Sequence, residues 1–241
     1  MRLDRLLATL AVGSRTQVRD LIRAGRIAVN GQTVREPERH VSDADAIALD
    51  HQPLDSRTTR HVMLNKPRGV LTAARDAKQP TVIDLLPPAY KGCGCMPVGR
   101  LDKDTEGLLL LTTDGTLAHR ILSPKREVWK CYLAVVDGPL SDADVQAFAE
   151  GLHLSDFDAL PARLNILRSE AGWAEAEVWV CEGKFHQVRR MFEARGRTVT
   201  DLKRLRIGPL ALDETLAPGE YRELTPEELN ALRQAVSGEE A

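Results

Sequence analysis

The sequence predicts a protein of mixed short helices and strands, built in two parts. Three observations carry this. The first fifty residues pair two short amphipathic helices with a hairpin. A polar stretch, residues 51–60, then breaks the apolar patterning, which puts a boundary near residue 55 and divides the chain into 1–55 and 56–241. Beyond it, alternating and fully apolar runs of strand length recur between short helical segments.

The front unit is read as follows. Leu3, Leu6, Leu7 and Leu10 have helical spacing, and Gly13 is expected to end that helix. Ser14 fits the N-cap of a second helix with Val18, Leu21 and Ile22 inward and Gly25 as its stop. Residues 26–29 suit a strand, Asn30-Gly31 is a two-residue hairpin turn, residues 32–34 return, and 46–49 form a third strand. Arg15, Arg19 and Arg23 recur every four residues and so share a helix face. Arg2, Arg26 and Arg35 extend the same sign.

In the second part, residues 61–64 suit a strand, followed by Asn65-Lys66-Pro67-Arg68-Gly69. Thr81 to Leu86 reads as a short helix stopped by Pro87. Leu108 to Leu111 is too short for a typical helix and is bounded by turn residues, so it reads as a strand buried on both faces. The loop before it carries Arg100, Asp102, Lys103 and Asp104. On residue type alone, Asp102 and Thr105 serve equally as turn-forming groups or as part of a site. Helices are expected at 116–122, at 142–151 and from 225 onward, the last with Thr225 as N-cap and Pro226 at the first position. Strands are expected at 129–136, 163–168, 173–181 (the longest) and within 197–207, where Lys203, Arg204 and Arg206 add positive charge. Phe185, Val188 and Phe192 are read as the buried stripe of a helix ended by Gly196, with His186, Arg189 and Glu193 on the adjacent stripe.

Composition excludes some classes. At 241 residues with 43% hydrophobic residues the chain can hold a small and a medium domain, and a net charge of −2 announces no global nucleic-acid binder. The charge is polarised, however, basic at the front and acidic over the last thirty residues. No apolar run approaches a membrane span and no signal peptide is evident, so a cytoplasmic protein without membrane attachment is expected. Cys93, Cys95, Cys131 and Cys181 lack the paired spacing of a zinc site and are expected to be reduced thiols, so no metal is expected.

Four motifs, in order, resemble those of the ribosomal RNA pseudouridine synthases: Asn-Lys-Pro-x-Gly at 65–69, Gly-Arg-Leu-Asp…Thr-Glu-Gly-Leu at 99–108, Lys-x-Tyr at 130–132 and Glu-Gly-x-x-His-Gln-Val-Arg at 182–189. The front unit resembles the S4-type RNA-binding domain. The resemblance implies an α+β fold, in which a mixed, mostly antiparallel sheet carries flanking helices and a central cleft. It implies Asp102 as nucleophile, Tyr132 stacking on the target base and Arg189 pairing with Asp102. A fixed cation there has a physical reason, because burial disfavours the ionised carboxylate that a nucleophile must be.

The implied reaction cleaves the bond between uracil N1 and ribose and rejoins the sugar through C5, with no cofactor. Attack at C1′, addition at C6 and proton abstraction from the sugar all remain open. The uridine must be turned out of a stack to be reached. Arg2, Arg15, Arg19, Arg23 and Arg26 would grip RNA phosphates, with Lys66, Arg68, Arg100, Lys103 and the 203–206 strand as further contacts on charge. Within the family the outline is most similar to the enzymes of 16S rRNA. The expected partner is therefore 16S rRNA or a small-subunit assembly intermediate, met by a monomer. A 23S rRNA target and a non-catalytic ribosome-assembly factor are the alternatives.

Overall fold

The computed structural model describes residues 1–237. Its elements fall into two sheets. The front sheet comprises β1 (Ile27–Val29), β2 (Gln32–Val34), β3 (Ile47–Leu49) and β4 (Gln52–Leu54), in the order β2-β1-β3-β4. Helices α1 (Leu3–Thr9) and α2 (Arg15–Arg23) cover it, and their apolar faces meet the sheet in one core around Leu3, Leu7, Val18, Ile22 and Ile27. Ser14 and Gln17 form a full capping box at the start of α2. Asn30 and Gly31 both have positive φ, 52° and 79°, as a type I′ hairpin turn requires. Two expectations shift here. Helix α1 ends at Thr9, with Ala11 already left-handed, so Gly13 lies in the turn beyond it. The polar stretch 51–60 is also not all linker, because Gln52–Leu54 is the fourth strand of this sheet.

The second sheet runs in the order β13-β5-β7-β11-β8-β10-β9. Its strands are β5 (His61–Lys66), β7 (Glu106–Thr112), β8 (Lys130–Val136), β9 (Arg163–Glu170), β10 (Trp173–Val180), β11 (Val199–Ile207) and β13 (Tyr221–Glu223), with the short β6 (Met96–Pro97) on β7 and β12 (Leu210–Ala211) on β11. Among the described strands only the β7–β11 pair is parallel, so the sheet is mixed and mostly antiparallel. Strand β11, with nine residues, exceeds β10, with eight. Helices α3 (Pro88–Gly92), α4 (Gly115–Leu122), α5 (Asp142–Glu150), α6 (Gln187–Ala194) and α7 (Pro226–Ala235) flank the sheet.

The leucine run behaves as its pattern predicts. Leu108, Leu109, Leu110 and Leu111 are all fully buried. Strand alternation sends Leu108 and Leu110 into one core with Met63, Ile207 and Leu232. Leu109 and Leu111 enter the opposite core with Val62, Leu64 and Val82. At about 1.5–3 kcal/mol for each fully buried leucine, β7 is an anchor on both faces. Its second residue is Gly107, where φ is +99° and an added Cβ would lie 2.3 Å from the Arg204 carbonyl oxygen. Only glycine lets β7 approach β11 this closely.

Residues 81–86 do not form a helix. They make successive turns in which the Asp84 carboxylate accepts from the Thr81 amide and hydroxyl at 2.9 and 2.8 Å. Helix α3 forms after Pro87 instead. The connection from β4 into β5 is tied down by charge. Arg60 is buried and donates to Asp55 at 2.7 Å and Glu223 at 2.6 Å. Arg57 joins both carboxylates, and the Tyr90 hydroxyl donates to Glu223 at 3.0 Å.

Candidate active site

Four neighbouring strands, β7, β11, β8 and β10, carry the cleft at the middle of the large sheet. Asp102, Tyr132, His186, Arg189 and Leu202 line one pocket there. Asp102 comes from the loop entering β7, Tyr132 from β8, Leu202 from β11, and His186 and Arg189 from the start of α6.

The Asp102 loop is held by backbone contacts. The Thr105 amide donates to the Asp102 carbonyl at 3.1 Å, closing the turn. The Thr72 hydroxyl donates to the Leu101 carbonyl at 2.7 Å and accepts from the Leu101 amide at 3.2 Å. The Gly69 amide donates to the Lys103 carbonyl at 2.9 Å. Lys66 completes the brace. It is fully buried, and its ammonium donates to the carbonyls of Pro67, Lys103 and Thr105 at 2.9, 3.1 and 3.0 Å. Burial pushes Lys66 down to about 8, opposed by the charges of Asp104, Asp102 and Glu106. The expectation that Lys66 contacts phosphate is therefore corrected. All three of its donors are used inside the protein, and the Asn-Lys-Pro-x-Gly segment is scaffold for the loop.

On the other wall, Glu182 organises the approach to α6. Its carboxylate accepts from the Leu160 amide at 2.9 Å and from the Gln187 side chain at 2.7 Å. The buried Gln187 side chain accepts in turn from the Lys184 amide at 3.1 Å. His186 then takes a left-handed conformation, φ 51° and ψ 28°, immediately before the helix. Strain of this kind, over-determined by its surroundings, points to a site. His186 Nε2 lies 3.3 Å from Asp102 Oδ1, and Arg189 Nε lies 4.0 Å from Oδ2. Arg189 is steadied by a 2.9 Å hydrogen bond to the Val199 carbonyl.

Tyr132 stands opposite Val178 on β10 and Arg204 on β11. Arg204 is buried, donates to the Leu108 carbonyl at 2.8 Å and reaches the Tyr132 hydroxyl at 3.4 Å. Arg204 thus supports Tyr132 from within the sheet and is not one of the surface cations expected of the 203–206 strand. The predicted helical stripe also changes. Val188 and Phe192 are buried, but Phe185 is 69% exposed because α6 begins only at Gln187.

The structure brings together the three residues singled out from the sequence, Asp102, Tyr132 and Arg189. Arg100 and Lys103 are exposed on either side of Asp102. In the front unit, Arg15 and Arg23 are exposed and make no ion pair among the described residues. Arg2 and Arg19 both hold Asp4, at 2.8 and 3.2 Å, and Arg26 is paired with Asp50. Arg68 is likewise engaged, by Asp201 and by Glu106. Sequence reasoning missed His186, Arg204 and Glu182 as parts of this site. His186 and Glu182 were visible as motif letters, but their roles depend on a bend that no periodicity signals.

Burial pushes the thiols of Cys95 and Cys131 up to about 12, which makes them unreactive. Among the described residues no group of three or more His, Cys, Asp and Glu side chains is placed to hold a metal ion. No described helix is long and apolar enough to cross a membrane.

A carboxylate between an imidazole and a guanidinium, lining one pocket with a tyrosine at the middle of a mixed sheet, is a group able to act as nucleophile or base. The RNA pseudouridylate synthase family matches residues 60–194, and the S4 domain matches residues 1–47. The chain belongs to the RNA pseudouridylate synthases and carries an S4 domain at its front. It is 43% identical over 236 residues to an uncharacterised RNA pseudouridine synthase of Bacillus subtilis (strain 168), covering 97% of this chain and 99% of that one. It is 39% identical over 234 residues to the ribosomal small subunit pseudouridine synthase A of Escherichia coli (strain K12), covering 95% and 98%. A crystal structure of a pseudouridylate synthase matches with a TM-score of 0.67 at 36% identity, over 96% of this chain and 99% of the other.

Proposed function

We propose that this protein converts one uridine of 16S ribosomal RNA to pseudouridine, with Asp102 as the nucleophile. One observation carries the reading. The carboxylate of Asp102 lies in a cleft between His186 at 3.3 Å and Arg189 at 4.0 Å, with Tyr132 lining the same pocket. The two nitrogen groups lie against opposite oxygens of the carboxylate and so orient it for reaction. The uridine leaves its stack, enters the cleft and lies against Tyr132. Asp102 begins the reaction by attack at C1′ or C6 or as a base on the sugar. The N1–C1′ bond breaks, the base turns, and C5 bonds to C1′ and gives up its proton as N1 takes one up. Any bond formed to Asp102 is broken, or any proton it took is returned, so that the free carboxylate is regenerated.

The RNA is gripped by residues 1–55, a binding unit in front of the catalytic unit 56–241. Arg15 and Arg23 are its open cations, and Arg100 and Lys103 hold the backbone beside the cleft. Arg2, Arg19 and Arg26 contribute after exchanging their carboxylate partners for phosphate. The protein acts as a monomer in the cytoplasm. The 16S target rests on the match to the Escherichia coli small-subunit enzyme over nearly its full length.

Pseudouridine mapping on unmodified 16S and 23S rRNA, free and in assembly particles, tests the reading. The expected result is one new site in 16S rRNA, absent with Asp102→Asn. A site only in 23S rRNA overturns the target, and full activity of Asp102→Asn overturns the nucleophile.

A further inference from the structure

Phe185 is the most exposed large apolar side chain among the described residues, at 69%. An exposed phenyl forgoes the stabilisation of burial, so its position beside the cleft calls for an explanation. One face of the ring is covered. It stacks on the His186 imidazole with centroids 3.9 Å apart and planes 16° from parallel. At this exposure the opposite face is open to solvent.

This ring is aimed by built structure. The Glu182–Gln187 hydrogen bonds and the left-handed backbone of His186 fix the segment just ahead of α6. Arg190 donates at 3.5 Å to the Phe185 carbonyl. Two contacts separate the ring from the catalytic carboxylate: phenyl to imidazole at 3.9 Å, then imidazole to Asp102 at 3.3 Å. The neighbouring Lys184 is exposed and adds positive charge at the same rim.

We infer that the open face of Phe185 is a stacking platform for the nucleobase next to the target uridine in the bound RNA. This rests on the uridine-modifying reading above and deepens it by assigning a second base-binding position. The chemistry fits. When a uridine leaves a stack, its neighbour is left with an uncovered π-face. A flat ring with one free face covers it without regard to sequence, and a flanking cation suits the attached phosphate. The phenyl–imidazole–carboxylate chain then links occupancy of the platform to the setting of Asp102.

The test uses the full chain and a 16S rRNA fragment containing the mapped target. The fragment is made intact, with 2-aminopurine at either flanking position, or with an abasic nucleotide there. Base–aromatic stacking of about 1–3 kcal/mol corresponds to a rise in KM of about 5- to 150-fold for Phe185→Ala. Most of the loss is expected in KM rather than kcat, Phe185→Trp is expected to restore it, and Phe185→Leu to restore only part. Binding is expected to quench 2-aminopurine at one flanking position with wild type and not with Phe185→Ala. On the abasic RNA the two proteins are expected to converge. A KM within twofold of wild type overturns the platform, as does an equal loss on intact and abasic RNA. A loss confined to kcat does so too, since it assigns Phe185 to propping His186. If wild type converts no uridine, the functional reading falls and the platform with it. If wild type converts normally while the variants match it, the platform alone falls.

Discussion

His186 reaches Asp102 more closely than Arg189 does, at 3.3 Å from Oδ1 against 4.0 Å from Oδ2. The two groups approach opposite oxygens of one carboxylate, and the nearer one is the imidazole. His186→Ala is expected to lower the single-turnover rate about 10- to 100-fold, the scale of a misplaced reacting group. RNA affinity should stay within about threefold, and His186→Gln should keep part of the rate because its amide can still donate. Arg189→Ala is expected to cost more, and Arg189→Lys less than Arg189→Ala. A wild-type rate in His186→Ala removes the imidazole from the mechanism.

Lys66 separates scaffold from RNA contact. Replacing it with methionine removes the ammonium from three carbonyls, of which that of Lys103 keeps the Gly69 amide, and leaves those of Pro67 and Thr105 without this donor. Each buried unsatisfied group costs about 1–3 kcal/mol, so Lys66→Met is expected to lose several kcal/mol in chemical denaturation, along with most turnover. The slope of log affinity against log salt should not change, because no phosphate contact is lost. A slope shallower by about one charge would return Lys66 to the RNA interface.

Acid stability is expected to report on Asp4. Its side chain is 9% exposed and held by Arg2 and Arg19, and the hydrogen bond from Arg2 leads in holding it down to about 2. A carboxyl lowered in the folded state stabilises the fold above its ordinary value, and that stability disappears as pH falls through the folded value. With both arginines half exposed, the contribution is about 1–2 kcal/mol. Asp4→Asn should lower the neutral-pH Tm and flatten its fall between pH 4 and pH 2. Parallel acid limbs for the two proteins would rule this out.

Gly107 is expected to tolerate no side chain. Alanine there meets both a φ of +99° and the Arg204 backbone at 2.3 Å. Gly107→Ala should cost more than about 2 kcal/mol and loosen the only parallel pairing of the described sheet, read as faster amide exchange in β7 and β11. Wild-type stability would mean that the strands separate freely.

The parts legible in the sequence were those governed by local rules. The leucine run, the Asn30-Gly31 hairpin and the Thr225 cap follow from periodicity, turn torsions and capping, and all three are present. Asp102, Tyr132 and Arg189 were legible through motif wording, and their meeting in one pocket depends on a strand order that no local pattern encodes. The failures share a cause. Lys66 and Arg204 were assigned by charge and Phe185 by helical spacing, yet a charged side chain is buried when enough backbone acceptors surround it, and an aromatic is exposed when its helix starts two residues late. Residues 81–86 had the letters of a helix, but Asp84 caps the Thr81 amide and closes a turn instead.

The strand order also sets a timetable for the growing polypeptide. The front sheet closes within the first 54 residues, whereas β7 gains its parallel neighbour only when residues 203–204 arrive, and β5 gains its edge partner at residues 221–223. At about 5–20 residues per second, that interval lasts on the order of 10–30 s. A nascent chain therefore carries an arginine-bearing unit with its own core well before the carboxylate has a pocket.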